Sequence, residues 1–96
     1  MGKKVKSIIV ESMGNCFVCA SPYVEIHHII YGTANRKLSD KYGLIVPLCQ
    51  EHHRGQTGVH FRRDLDLCLK KLAQEKFNKA YPNEDFLRTF GRNYLD

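Results

Sequence analysis

Two short turns constrain any fold of this chain: Cys16-Phe17-Val18-Cys19 and, about thirty residues later, Cys49-Gln50-Glu51-His52. A thiol followed three places on by a second thiol or an imidazole lets one turn offer two ligands to the same ion. Two such turns make the four-coordinate set of a structural zinc. Cys16, Cys19, Cys49 and His52 are therefore expected to bind one Zn²⁺ and to tie together distant parts of the chain. Buried free thiols are the plainer alternative, but they leave His52 and His53 without a purpose. In a chain of 96 residues the hydrophobic core alone gives marginal stability, which a bound metal offsets.

With that set complete, His27, His28, His53 and His60 remain, and these are all the other histidines. A structural zinc site is closed, whereas a catalytic ion keeps positions open for water and substrate. The surplus of imidazoles points to a second, unlike centre. On a continuous helix His53 and His60 would stand about 10 Å apart along the axis. If both bind one metal, the chain must break and fold back between Gly55 and Gly58. His27 and His28 raise a similar question, because neighbours on a regular strand face opposite ways. Both can serve one site only where the strand twists or ends. On alternation alone His28, between Ile26 and Ile30, reads as a core histidine and His27 as a surface one.

Around these residues the scaffold can be sketched. Residues 25–30 and 44–48 are β-prone runs, and Pro47 suits an edge or strand end because it has no N–H to give. A two-stranded hairpin is expected. Residues 32–43, with glycine at both ends and the basic side chains of Arg36, Lys37 and Lys41, read as a polar loop. Residues 7–11 are a short β-branched run, either a strand or an arm packed on the zinc knuckle. A short helix is expected after Cys49. From Asp64 onward Leu65, Cys68, Leu69, Leu72, Ala73, Phe77 and Ala80 recur at helical spacing, with Lys70, Lys71, Gln74 and Glu75 outside. Cys68 then reads as a buried, inert thiol. That helix should end near Pro82, and Asn83 should cap a shorter one carrying Phe86, Leu87 and Phe90 and stopping at Gly91. The expected architecture is one α+β domain over residues 1–96, its C-terminal helices covering the back of the hairpin.

Fifteen Lys and Arg against ten Asp and Glu give a formal net charge of +5, which zinc held by three thiolates changes by only one charge. A basic balance on a small domain favours polyanions, nucleic acid above all. Arg36, Lys37, Arg54, Arg62 and Arg63 are candidates for phosphate contacts, although each also reads as an ordinary solvated charge. No apolar run approaches the ~20 residues of a membrane span. The opening residues lack the apolar stretch of a secretory signal, and Lys6 stands where a myristoylation motif wants Ser or Thr. A cytoplasmic location is expected, where cysteines serve as metal ligands rather than in disulfides.

The paired histidines in Glu25-Ile26-His27-His28-Ile29, the run Leu48-Cys49-x-x-His52-His53 and the upstream Cys16-x-x-Cys19 together resemble the ββα-metal (HNH, or His-Me finger) fold of HNH endonucleases. The closer likeness is to small phage HNH proteins related to recombination-enhancement, RecA-dependent nucleases. It spans a motif core at about residues 14–61 and, more loosely, the helical part at about 64–95. The resemblance implies that His28 is the general base activating water. It makes His27 and His53 ligands of a catalytic ion, with His60 as the last histidine, which in the family usually follows sooner. The family's middle Asn has no counterpart just before the second strand, and Asn35 or Asp40 could stand in for it.

The implied activity is hydrolysis of DNA phosphodiester bonds to a 5′ phosphate and a 3′ hydroxyl, in phage recombination or DNA processing. A RecA-type recombinase filament is the candidate partner. Such hydrolysis needs a nucleophile, charge relief on the phosphate and help for the leaving 3′ oxygen. An imidazole can supply the first near neutral pH, and one divalent ion (Mg²⁺, Mn²⁺, Ni²⁺ or Zn²⁺) the other two. Two rival readings stand beside it: a non-catalytic zinc-binding nucleic-acid module, and an adaptor that binds a recombination or packaging protein through the leucine-rich helix at 65–81.

Overall fold

The β-branched runs flanking the two histidines pair as the sequence leads one to expect. In the computed structural model, which describes residues 6–95, β1 (Glu25–His28) lies antiparallel to β2 (Ile45–Leu48), with Ile26 opposite Pro47 and His27 opposite Val46. Residues 1–5, which hold most of the segment considered for a leader, lie outside the described residues. Pro47 has no N–H to donate, but its carbonyl accepts from the Phe17 N–H at 2.8 Å. The Cys-x-x-Cys turn is thereby closed onto β2. That strand is buried along its whole length, so it reads as a continuous apolar run rather than an alternating one.

The connection between the strands is not a loop. It is a helix, α1 (Thr33–Tyr42), bounded by Gly32 and by Gly43, whose φ of 76° is the left-handed conformation that stops a helix. The two glycines are helix boundaries rather than loop punctuation. A polar composition hides the helix because its inward face is narrow. Leu38 packs on the core, Tyr42 is buried, and Ser39 is buried because its hydroxyl donates to the Ile30 carbonyl at 2.6 Å. Residues 7–10 form an arm and not a strand. The Ile8 N–H donates to the Gly43 carbonyl at 2.9 Å and the Ser7 hydroxyl to the Ile45 carbonyl at 2.6 Å. The arm therefore lies along the start of β2, away from the knuckle.

After β2 comes α2 (Gln50–Arg54), then the long α3 (Arg63–Ala80) and the short α4 (Phe86–Phe90). Tyr42, Phe77, Phe86 and Phe90 join α1, α3 and α4 through edge contacts, with ring centroids 5.1 Å apart for Tyr42 and Phe77 and 5.3 Å for Phe77 and Phe86. The inward stripe of α3 is rotated from the expected one. It carries Asp66, Leu69, Ala73, Gln74 and Phe77, while Cys68 and Ala80 are exposed. Gln74 turns in because its amide is satisfied there, donating to Asn93 Oδ1 at 2.6 Å and accepting from the Tyr94 N–H at 2.7 Å. Cys68, one place and about 100° from Leu69, then faces out, so the reading of a buried thiol is corrected. The cap of α4 is likewise Asp85 rather than Asn83: its carboxylate accepts from the Leu87 N–H at 3.1 Å. Among the described residues no helix is long and apolar enough to cross a membrane.

Candidate metal centres

The first centre joins the turn before the sheet to the end of β2. The Cys16 N–H donates to the Ser21 carbonyl and the Ala20 N–H to the Cys16 carbonyl, at 2.7 and 2.8 Å, which closes the turn and aims two thiols one way. β2 delivers Cys49 as the residue that opens α2, and His52 follows in that helix. One ligand atom from each of Cys16, Cys19, Cys49 and His52 lies within 4.8 Å of the others. Cys49 Sγ is 3.2 Å from His52 Nδ1, Cys16 Sγ is 3.8 Å from the same nitrogen, and the Sγ atoms of Cys19 and Cys49 are 3.7 Å apart. A tetrahedron of ~2.3 Å zinc–sulfur bonds has edges of about 3.8 Å. The four residues are close enough to hold a metal ion, and the spacing is consistent with zinc.

The two thiols of the first turn sit in unlike electrostatic surroundings. Burial raises the Cys16 thiol, but hydrogen bonds from the backbone at Cys49, Cys19 and Val18 outweigh it and bring its pKa down to about 6. Cys19 moves the other way. The backbone hydrogen bond at Ser21 lowers it, yet slight desolvation and the crowding of Cys49 and Cys16 leave it raised above the ordinary thiol value. Thiolates pressed together in this way repel one another until a dication is shared among them.

The second centre draws on three elements. β1 contributes His27, α2 contributes His53, and the segment after α2 contributes His60; a ring nitrogen from each lies within 4.8 Å of one from each of the others. Ring centroids are 5.1 to 5.6 Å apart. His60 reaches the group because the chain reverses after Arg54. Glu51 accepts from both the N–H and the hydroxyl of Thr57, at 3.1 and 2.6 Å, and the Val59 N–H donates to the His52 carbonyl at 2.9 Å. Gly58 lies directly on the helix end, where a Cβ would stand 2.6 Å from the Glu51 carbonyl oxygen.

Sidedness on β1 is the reverse of the plain alternation reading. His27 is the buried residue, 2 % exposed, and Ile26 faces out. The cause is tertiary, since α2 and the reversal cover the face that carries His27. Its Nε2 is buried without a hydrogen-bond partner among the described residues, a state that buried polar atoms rarely keep. Burial, with the charges of His53 and His60, pushes the His27 pKa down to about 3, and burial followed by His53 also lowers His60. His27 is therefore held in the neutral form that binds metal. Three ring nitrogens this close, with an orphan among them, could hold a metal ion.

His28 stands beside this group but outside it. Its Nε2 is 2.8 Å from Asp40 Oδ1 on α1. Because β1 ends at His28, both histidines line one cavity of about 260 Å³, together with His53, His60 and Arg36. Glu25 was not among the residues expected at the site. It accepts from His53 Nδ1 at 2.8 Å, and this bond, ahead of the Arg54 guanidinium, holds its carboxyl below the usual range. A ligand imidazole is oriented in this way when its other nitrogen faces a metal. The signal was the two-residue spacing of Glu25 and His27, which puts them on one face of the strand.

The remaining candidates scatter. Asn35 donates to the Phe90 carbonyl at 3.2 Å, fastening α1 to α4. Arg54 is paired with Glu25, and Arg62 with Asp64 at 2.7 Å. Lys37 is exposed on α1. Arg63 lines a larger cavity next to His60. No protein-family model, curated protein or solved structure matches the chain. What the fold and the two sites define by themselves is a small α+β domain with one Cys/His group and one His group that could each hold a metal ion.

Proposed function

We propose that this chain is a DNA endonuclease of the HNH type, with a structural zinc at Cys16, Cys19, Cys49 and His52 and a divalent ion at His27, His53 and His60. One observation carries the reading. A single cavity brings together three imidazoles able to hold an ion, a fourth imidazole with a carboxylate behind it, and the guanidinium of Arg36. A structural zinc module has no need of the last two. The order β1, β2, α2, with histidines on the first strand and on the helix, also supports a ββα-metal reading, α1 being carried between the strands.

Asp40 accepts from His28 Nε2 and so fixes the imidazole with Nδ1 free to take a proton from water. The water attacks phosphorus as His28 takes its proton, the P–O3′ bond breaks, and the leaving 3′ oxygen takes a proton from solvent, giving a 5′ phosphate and a 3′ hydroxyl; His28 then returns its proton to solvent. Arg36 at the cavity mouth holds a phosphate oxygen. An ion held by His27, His53 and His60 would supply charge relief on the phosphate and on the leaving oxygen. Glu25 keeps His53 turned toward the ion.

The test is conversion of supercoiled DNA to nicked circles by the zinc-loaded protein with Mg²⁺, Mn²⁺ or Ni²⁺, alone and on a RecA filament. Nicking that disappears in His28→Ala while DNA binding persists supports the enzyme. Binding without cleavage under every condition sinks it in favour of a zinc-containing nucleic-acid module.

A further inference from the structure

A second cavity, of about 370 Å³, adjoins the histidine cavity and shares Tyr31 and His60 with it. Tyr31 and Phe61 both line it and are 45 % and 69 % exposed. Arg63, Lys70 and Arg92 supply three cations against one carboxylate, Asp66. Asp66 is only 8 % exposed, and its Oδ2 is met by Lys70 Nζ at 2.8 Å and by the Tyr31 hydroxyl at 3.5 Å. Lys70 in turn lies 4.3 Å over the Tyr31 ring. The pocket thus has aromatic faces, a fixed hydrogen-bond acceptor inside and positive charge around it.

Resting on the endonuclease reading, which places a DNA phosphate in the neighbouring cavity, we propose that this second cavity receives one unstacked nucleotide next to the cut, so that the substrate is single-stranded or locally unpaired DNA. The chemistry of each part matches. Exposed aromatic rings beside a cationic track are how single strands are held, because every base has a face to stack and a phosphate to neutralise. A buried carboxylate suits the amino group on a base edge, as acidic side chains do with cytosine N4. The volume lies at the low end of the range for small-ligand pockets, enough for a nucleotide and far too small for a duplex. In regular duplex DNA both faces of a base are covered by its neighbours, so the rings could stack on it only after extrusion. The Asp66–Lys70 pair taken alone is explained as support for α3. It does not account for Phe61, which is largely in water immediately after His60.

The experiment titrates zinc-loaded protein, without other divalent ions, into oligonucleotides carrying 2-aminopurine, single-stranded and duplex. Fluorescence of that base reports stacking, and anisotropy reports binding. The expected result is binding at least tenfold tighter to the single strand, with the 2-aminopurine signal quenched. Phe61→Ala should lose the quench and about tenfold in affinity, within the range for one stacked base. Phe61→Trp should keep both, and Arg92→Ala should reduce the salt dependence by about one unit of slope. Equal binding to duplex with no fluorescence change, or a Phe61→Ala protein that binds and quenches as wild type does, overturns the proposal. The two readings fail separately. Plasmid nicking with a silent 2-aminopurine signal removes the nucleotide pocket and leaves the nuclease, whereas a quenched signal without nicking keeps the pocket and removes the nuclease.

Discussion

Asp40 Oδ1 lies 2.8 Å from Nε2 of His28, so a residue of α1 grips a residue of β1 that the ligand group leaves out. A carboxylate in that place selects one tautomer of the ring and opposes its rotation. Asp40→Asn is expected to slow cleavage by less than the 10²- to 10⁴-fold that a general base itself contributes, with ion affinity unchanged. Single-turnover nicking with calorimetry of Mn²⁺ binding checks this. A change in ion affinity rather than rate would move Asp40 into the ligand shell.

The knuckle makes a claim about folding. Cys16→Ser or Cys49→Ser should abolish cooperative melting, since apparent zinc binding in small domains amounts to about 10 kcal/mol or more. Circular dichroism melts and zinc release measured with a chromophoric chelator decide the matter. A mutant that melts like wild type and retains its zinc contradicts the assignment.

Gly58 is where the reversal presses on α2. Gly58→Ala places a methyl 2.6 Å from backbone atoms of Glu51 and His52, and backbone cannot yield as a side-chain tip would. The expected loss is about 1–3 kcal/mol, as for overpacking, together with weaker binding at the His27, His53 and His60 centre because His60 is displaced. Denaturant melts and metal titration should both register it. An unchanged midpoint would mean that the segment relaxes freely.

Much of this arrangement is legible in the residues alone, and what is not has physical causes. The knuckle showed because ligand chemistry imposes a spacing on the chain. The break between His53 and His60 followed from helix rise alone, given one shared ion. α1 was missed because its composition is polar: Leu38 and Tyr42 are the large apolar side chains it turns to the core, and the buried Ser39 looks like a loop residue in sequence. The phase of α3 was misjudged because Gln74 is drawn in by Asn93 and Tyr94, a partnership twenty residues away that no local pattern contains. The facing of His27 and His28 depends on what covers the strand, so alternation supplied the question and not the answer.

Lys70 gives a pH dependence. Burial lowers its pKa, but the hydrogen bond and attraction of Asp66 win, and it stands above the ordinary lysine value of 10.5. A raised folded pKa stabilises the protein fully below the unfolded value and less as pH rises through the folded one. Denaturant midpoints should therefore fall at the alkaline end more steeply in wild type than in Lys70→Met. Parallel curves would show that the ion pair adds nothing to stability.

The division of labour between His28 and His53 is the centre of the account, and a Mn²⁺ titration of plasmid nicking by the two alanine variants tests it most directly. His28→Ala should stay 10²- to 10⁴-fold slow at every metal concentration, its calorimetric ion affinity intact. His53→Ala should bind the ion more weakly and recover part of its activity as Mn²⁺ rises. Rescue of His28→Ala by metal, or cleavage unaffected by either substitution, would contradict the assignment of base and ligand.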